Sequence, residues 1–183
     1  MAKEKYVAFL RGINVGGHHK VPMETLRETL KGLEFESVQT LLNSGNILFE
    51  SAPRDITHLE TTISERLQIV FGFPVPTMVL TAASISTLID TNPFKNIPLT
   101  KDTRLYISFL QKDLDIDLKL PWTSDDYSYT ILTYSDKTIV SVLDLSISKT
   151  PKAMKALEHY FGKDTTTRNW NTINRIEKKL NAN

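Results

Sequence analysis

Tyr6-Val7-Ala8-Phe9-Leu10-Arg11-Gly12-Ile13-Asn14-Val15-Gly16-Gly17 is the stretch that decides how this chain is read. Its first five residues, apolar or aromatic, predict a strand. His18-His19-Lys20 follow, and Val21-Pro22-Met23-Glu24 then reads as a helix start, with Pro22 at the first helical position, where a missing N–H does no harm. The loop between strand and helix holds three glycines, one arginine, one asparagine and one lysine. That composition suits a backbone that bends through positive φ and comes close to an anion.

Working outward, Met23, Leu26, Leu30 and Leu33 share one face of a helix over about 22–33, with Gly32 near its end. Ser37 to Leu42 and Ile47 to Glu50 are β-rich runs around Asn43-Ser44-Gly45-Asn46, the pattern of a hairpin. Pro53 and Asp55 open a second helix whose apolar stripe is Ile56, Leu59, Ile63, Leu67 and Val70. Gly72 and Pro74 end it, and Val75 to Leu80 is a further strand. The order β-α-β-β-α-β is the split βαβ of ferredoxin-like folds, and right-handed crossovers leave few ways to arrange it. Strands one and two then run parallel, so the Arg11–Lys20 loop and the Asn43–Asn46 turn are expected to face each other at one sheet end.

The second half reads as a worn copy. Tyr106-Ile107-Ser108-Phe109-Leu110 matches Tyr6-Val7-Ala8-Phe9-Leu10, and a hairpin is expected at 127–134 and 138–143 with its turn at Ser135-Asp136-Lys137. Asp113 to Leu118 alternates like a strand, but its place in the order calls for a short helix. Pro151 starts a helix to about Phe161, Thr165 to Trp170 reads as a loop, and a last helix carries Ile173, Ile176 and Leu180. The expectation is therefore an α+β fold of two ferredoxin-like halves. The second is incomplete, its last strand replaced by a C-terminal helix. The expected division is 1–80, a helix and linker over 81–102, and 103–183, with Thr81 capping the intervening helix and Asn92-Pro93-Phe94 stopping it.

Composition bounds the function. With 40% hydrophobic and 23% charged residues, 183 residues suffice for a sizeable core. No cysteine is present, which excludes disulfides, thiolate metal sites and a cysteine nucleophile. Met1-Ala2-Lys3-Glu4-Lys5 leads into an apolar run too short for a signal peptide, and a cytoplasmic protein without a membrane partner is expected. The net charge of +1 argues against a protein that coats nucleic acid. Charge is nevertheless uneven: residues 101–144 carry five basic and eight acidic side chains, while 145–183 carry eight basic and three acidic. A basic C-terminal quarter attracts phosphate, or is simply a pair of solvated helices.

The loop at Arg11 lacks both the Gly-Lys-Ser/Thr of a P-loop and Gly-x-Gly-x-x-Gly. What it offers is free backbone N–H groups and an arginine whose fork suits phosphate or carboxylate. Adjacent histidines, His18 and His19, make a poor metal pair, and no metal or cofactor is expected. Ser44 lacks a base-and-orienter pair, so no hydrolase triad is read. Arg168-Asn169-Trp170 is either a helix cap with a packing indole or an anion clamp at a helix N-terminus. The third strand carries Asn46, Leu48 and Glu50 on one face and Ile47, Phe49 and Ser51 on the other. It lacks the aromatic pair on which RNA bases stack, which ranks nucleic-acid binding second and a protein-interaction module third.

The segments Tyr6–Gly17, Lys20-Val21-Pro22-Met23, Ser44-Gly45-Asn46, Ser148-Lys149 and Thr167-Arg168-Asn169-Trp170 with Thr172 resemble a bacterial family known as domain of unknown function 1697. The resemblance spans nearly the whole chain and implies a two-part α+β fold with ferredoxin-like halves. It implies no activity, and whether the chain is an enzyme stays open. Ser135-Asp136-Lys137-Thr138 stands where family members often carry a glycine-containing turn. Together the motifs select Arg11, Gly12, Asn14, Gly16, Gly17, Ser44, Asn46, Lys149, Arg168 and Asn169 as candidate ligand-binding residues, expected to gather in one cleft around a small phosphorylated or carboxylated ligand.

Overall fold

Strand β1, Glu4–Leu10, has period-2 burial logic: Tyr6, Ala8 and Leu10 belong to one core cluster, while Val7 and Phe9, also buried, point to the other face of the sheet. In this computed structural model, which describes residues 3–182, β1 lies inside a four-stranded antiparallel sheet of order β2-β3-β1-β4. Met1 and Ala2, on which part of the leader reading rested, lie outside the described residues. The remaining strands of this sheet are β2 (Glu36–Leu41), β3 (Asn46–Ser51) and β4 (Thr77–Thr81). Helices α1 (Met23–Lys31) and α2 (Ile56–Phe71) lie between them in sequence and bury Leu26, Leu30, Leu59, Ile63 and Leu67 against Ile47, Phe49 and the inward face of β1. Asp55 caps α2 by accepting the His58 N–H at 2.9 Å, and Gly72 closes it in the left-handed conformation. The β-α-β-β-α-β order expected from the sequence is the one observed. Val70 departs from the predicted stripe, being 38% exposed, and its neighbour Phe71 packs against the core in the last turn of α2 instead.

Cα proximity divides the chain into two compact units, Met1–Thr87 with Ile176–Asn183, and Leu88–Arg175. Helix α3 (Ala82–Thr91) runs across the first boundary and carries its cap, Thr81 Oγ1 accepting the Ser84 N–H at 3.1 Å. The second unit holds a five-stranded antiparallel sheet of order β6-β7-β8-β5-β9, made by β5 (Thr103–Leu110), β6 (Trp122–Thr123), β7 (Tyr129–Ser135), β8 (Thr138–Asp144) and β9 (Thr165–Asn169). Asp136 and Lys137, both at positive φ, turn the β7–β8 hairpin as a two-residue loop. Helix α4 (Thr150–Phe161) buries Ala153, Leu157 and Phe161 in the core of this unit, and α5 (Trp170–Asn181) runs across the second boundary, with Ile173 buried in the second unit and Ile176 and Leu180 buried in the first.

Two expectations fail in the second unit. Residues 113–119 form no helix; Ile116, Leu118 and Leu120 pack partly buried against the core while Asp115, Asp117 and Lys119 face solvent. The alternation of apolar and charged residues won over the position in the order. Thr165 to Asn169 is not a loop but β9, in register with β5 from Tyr106↔Asn169 to Leu110↔Thr165. The last strand of the second copy is thus present, because three consecutive β-branched threonines favour a pleated strand; what the copy lacks is its first helix. Equivalence of the halves extends to side chains. Tyr6 hydroxyl accepts the Arg54 N–H at 3.1 Å beside the start of α2, and Tyr106 hydroxyl lies 3.2 Å from Thr150 Oγ1 at the start of α4.

Candidate functional site

After Leu10, whose N–H donates to the Gly45 carbonyl at 2.8 Å, the chain leaves the sheet. Arg11 N–H donates to the Pro76 carbonyl at 2.9 Å, and Gly12, at φ +72°, turns the backbone. Residues 14–19 then form a small β-hairpin: Asn14 N–H donates to the His19 carbonyl and His18 N–H to the Val15 carbonyl, each at 3.0 Å. Gly16 and Gly17, at φ +58° and +80°, are its two-residue tip, and both conformations lie where glycine is least costly. The loop is therefore a preformed finger rather than an open cradle. Ile13 is buried beneath it, while Gly12 and Val15 to Lys20 are exposed.

Asn14 is the hub. Its Oδ1 accepts the Val21 N–H at 2.8 Å, and its Nδ2 donates to the Val21 carbonyl at 3.1 Å and to the Asn43 carbonyl at 2.8 Å. The side-chain amide imitates a strand neighbour for Val21 and ties the first loop to the β2–β3 turn. The two loops meet as the topology predicts. Within that turn Asn46 is fully buried, its Nδ2 donating to the Leu41 carbonyl at 2.8 Å and to Ser44 Oγ at 3.0 Å. Sequence reasoning missed two supports. Leu42 adopts φ +61° while 43% exposed, and the His19 ring stacks on Phe73 at 4.4 Å with Nδ1 3.2 Å from the Gly12 carbonyl. Neither a leucine at positive φ nor a ring stacked on another 54 positions along the chain leaves a trace in periodicity.

The other selected residues belong to the second unit. Lys149 is the N-cap residue of α4, extended and exposed, with its carbonyl accepting the Lys152 N–H at 3.0 Å. Arg168, only 8% exposed on β9, donates from Nη1 to Thr166 Oγ1 at 2.8 Å and to the Thr167 carbonyl at 2.9 Å. Burial brings its pKa down to about 10, because the charged form is stripped of water. Asn169 Oδ1 accepts the Asn171 N–H at 2.9 Å and so opens α5, and Trp170 meets Phe94 edge-on at 5.2 Å. Among the described residues no group of three or more histidines and carboxylates is placed to hold a metal ion. No helix there is long and apolar enough to cross a membrane.

Among the described residues, two antiparallel sheets, five helices and a polar loop pair at one sheet end define an α+β protein. The chain belongs to the DUF1697 family of proteins of unknown function, whose model matches residues 3–130. Its fold is that of the conserved bacterial protein SP0830 from Streptococcus pneumoniae, with a TM-score of 0.70, 26% identity, and coverage of 98% of this chain and 99% of that one. No curated protein matches it.

Proposed function

We propose that the protein binds a small anionic ligand, phosphorylated or carboxylated, at the end of the first sheet where the Arg11–Lys20 finger meets the Asn43–Asn46 turn. One observation carries this reading: the concentration of left-handed backbone there. Gly12, Asn14, Gly16, Gly17, His19, Leu42 and Gly45 all have positive φ, within two loops joined through Asn14 and Asn43. Each non-glycine residue so held costs about 1–3 kcal/mol and persists where its surroundings over-determine it, a pattern that collects at binding sites. Arg11, His18, His19 and Lys20 put cationic or protonatable residues into the same loop as the exposed Gly16 and Gly17, and such groups together suit an anion. The ferredoxin-like reading of both units supplies the scaffold. A nucleic-acid reading has less support, since Val7, Phe9 and Leu48 on the sheet face away from α1 and α2 are buried rather than offered for stacking.

The test is a thermal-shift and calorimetric screen of inorganic phosphate, pyrophosphate and citrate on the full chain. At least one is expected to raise Tm, with affinity falling about ten-fold or more in both Arg11→Ala and Lys20→Ala. Lys152→Ala, on α4, is the surface-charge control. Binding that survives both loop substitutions, or the absence of any shift, overturns the reading. Arg168→Gln in parallel asks whether the second unit's cations contribute.

A further inference from the structure

The first unit holds a groove of about 340 Å³ away from the two loops, lined by Lys5, Gln39, Leu48, Glu50, Lys179 and Leu180 among others. That volume is within the range of small-molecule sites, roughly 300–1,000 Å³. The charges on it are matched in an unexpected way. Register places Lys5 opposite Glu50 on β1 and β3, and Glu50 opposite Glu36 on β2. A lysine and a glutamate so placed normally pair across the strands, and two glutamates so placed repel. Lys5 Nζ instead donates to the Leu180 carbonyl at 2.8 Å, in the last turn of α5, and Glu36 is paired with Lys3. Among the described residues Glu50 has no ion-pair partner. Lys179 Nζ reaches Gln39 Oε1 at 3.0 Å across the same groove. An ammonium carries three donors, so Lys5 and Lys179 each retain two beyond the single bond described. Leu48 and Leu180, each 5% exposed, give the groove an apolar floor.

We propose that this groove is a second binding site, for a small zwitterion of the α-amino-acid type. The ligand carboxylate accepts from the Lys5 and Lys179 ammonium groups, the ligand ammonium donates to the Glu50 carboxylate, and an aliphatic side chain lies on Leu48 and Leu180. A simple carboxylate satisfies the lysines but sets its own charge against Glu50; a simple amine does the reverse. A small molecule carrying both charged groups answers the whole set. This site shares no residue with the loop site and stands or falls separately from it.

Amide-resolved NMR titrations of the full chain with L-leucine, isovalerate and isoamylamine test it. L-Leucine is expected to shift the Lys5, Glu50 and Lys179 amides saturably, at least about ten-fold more tightly than either single-charge analogue. Glu50→Gln is expected to reduce leucine to the affinity of isovalerate, and Lys179→Met to weaken leucine and isovalerate together. Arg11→Ala is expected to bind leucine like the unsubstituted protein, whatever becomes of anion binding at the loops. No saturable shift up to roughly 50 mM leucine, equal affinity for all three compounds, or unchanged leucine binding in Glu50→Gln overturns the proposal.

Discussion

A Cβ built on Gly45 would stand 2.7 Å from the Leu10 Cβ and 2.9 Å from Ile13 Cδ1. Strand β1 and the β2–β3 turn therefore close on each other at a distance that only a hydrogen atom tolerates. Gly45→Ala combines this overlap, about 1–3 kcal/mol for an overpacked site, with about 1–2 kcal/mol for forcing an L side chain to φ +77°. Gly17, at φ +80°, has nothing within 4 Å of its Cβ position, so Gly17→Ala meets the conformational cost alone. Urea denaturation is expected to show Gly45→Ala losing about 2–5 kcal/mol and Gly17→Ala about 1–2. Equal losses would mean that backbone geometry, not crowding, selects glycine at Gly45.

Asn14→Ala removes an acceptor from the Val21 N–H and a donor from two carbonyls. Val21 is 3% exposed, so its orphaned N–H costs about 1–3 kcal/mol. Hydrogen exchange is the sharper readout. The Val21 amide is expected to lose protection while amides in the middle of β1 and β3 keep theirs.

Asp126 predicts behaviour in acid. Lys152 at its carboxylate, together with Ser128 and Ser124, holds its pKa well below the ordinary value. A depressed folded-state pKa contributes stability that is present above the unfolded value of about 3.9 and is lost as pH falls toward the folded one. Thermal unfolding of the unsubstituted protein and of Asp126→Asn is therefore expected to differ most near neutrality and to converge below about pH 4. A constant gap down to strong acid would show that the carboxylate charge plays no part.

Tyr129 acts at the alkaline end. Its hydroxyl and that of Ser141 are buried side by side on β7 and β8 without a well-formed hydrogen bond, and burial pushes the phenol up to about 12. A raised folded-state pKa contributes stability that is fully present below the unfolded value of about 10 and is lost as pH rises through the folded one. Tyr129→Phe with Ser141→Ala removes both stranded hydroxyls. Stability is expected to be nearly unchanged at pH 7, and the loss between about pH 10 and 12 shallower.

Much of this was legible in the chain itself. Leu59, Ile63 and Leu67 announce a helix, the run from Tyr6 to Leu10 a strand, and the order of elements brings the Arg11–Lys20 loop to face the Asn43–Asn46 turn, where Asn14 meets Asn43. Failures came where two rules pointed different ways. Residues 113–119 have strand-like alternation in a helical position, and the alternation decided their burial. Thr165-Thr166-Thr167 is polar enough to pass for a loop and β-branched enough to pair with β5. The groove at Glu50 was invisible for another reason. It depends on Lys5 turning away from its cross-strand partner to a carbonyl 175 positions along the chain, a choice that no local pattern encodes.

The finger ending in Gly16 and Gly17 presents peptide groups where most protein surfaces present side chains. Whatever touches it is read by contour and by the direction of N–H and C=O dipoles. A contact of that kind is retuned only at a cost: each side chain added at the tip must be held in left-handed backbone.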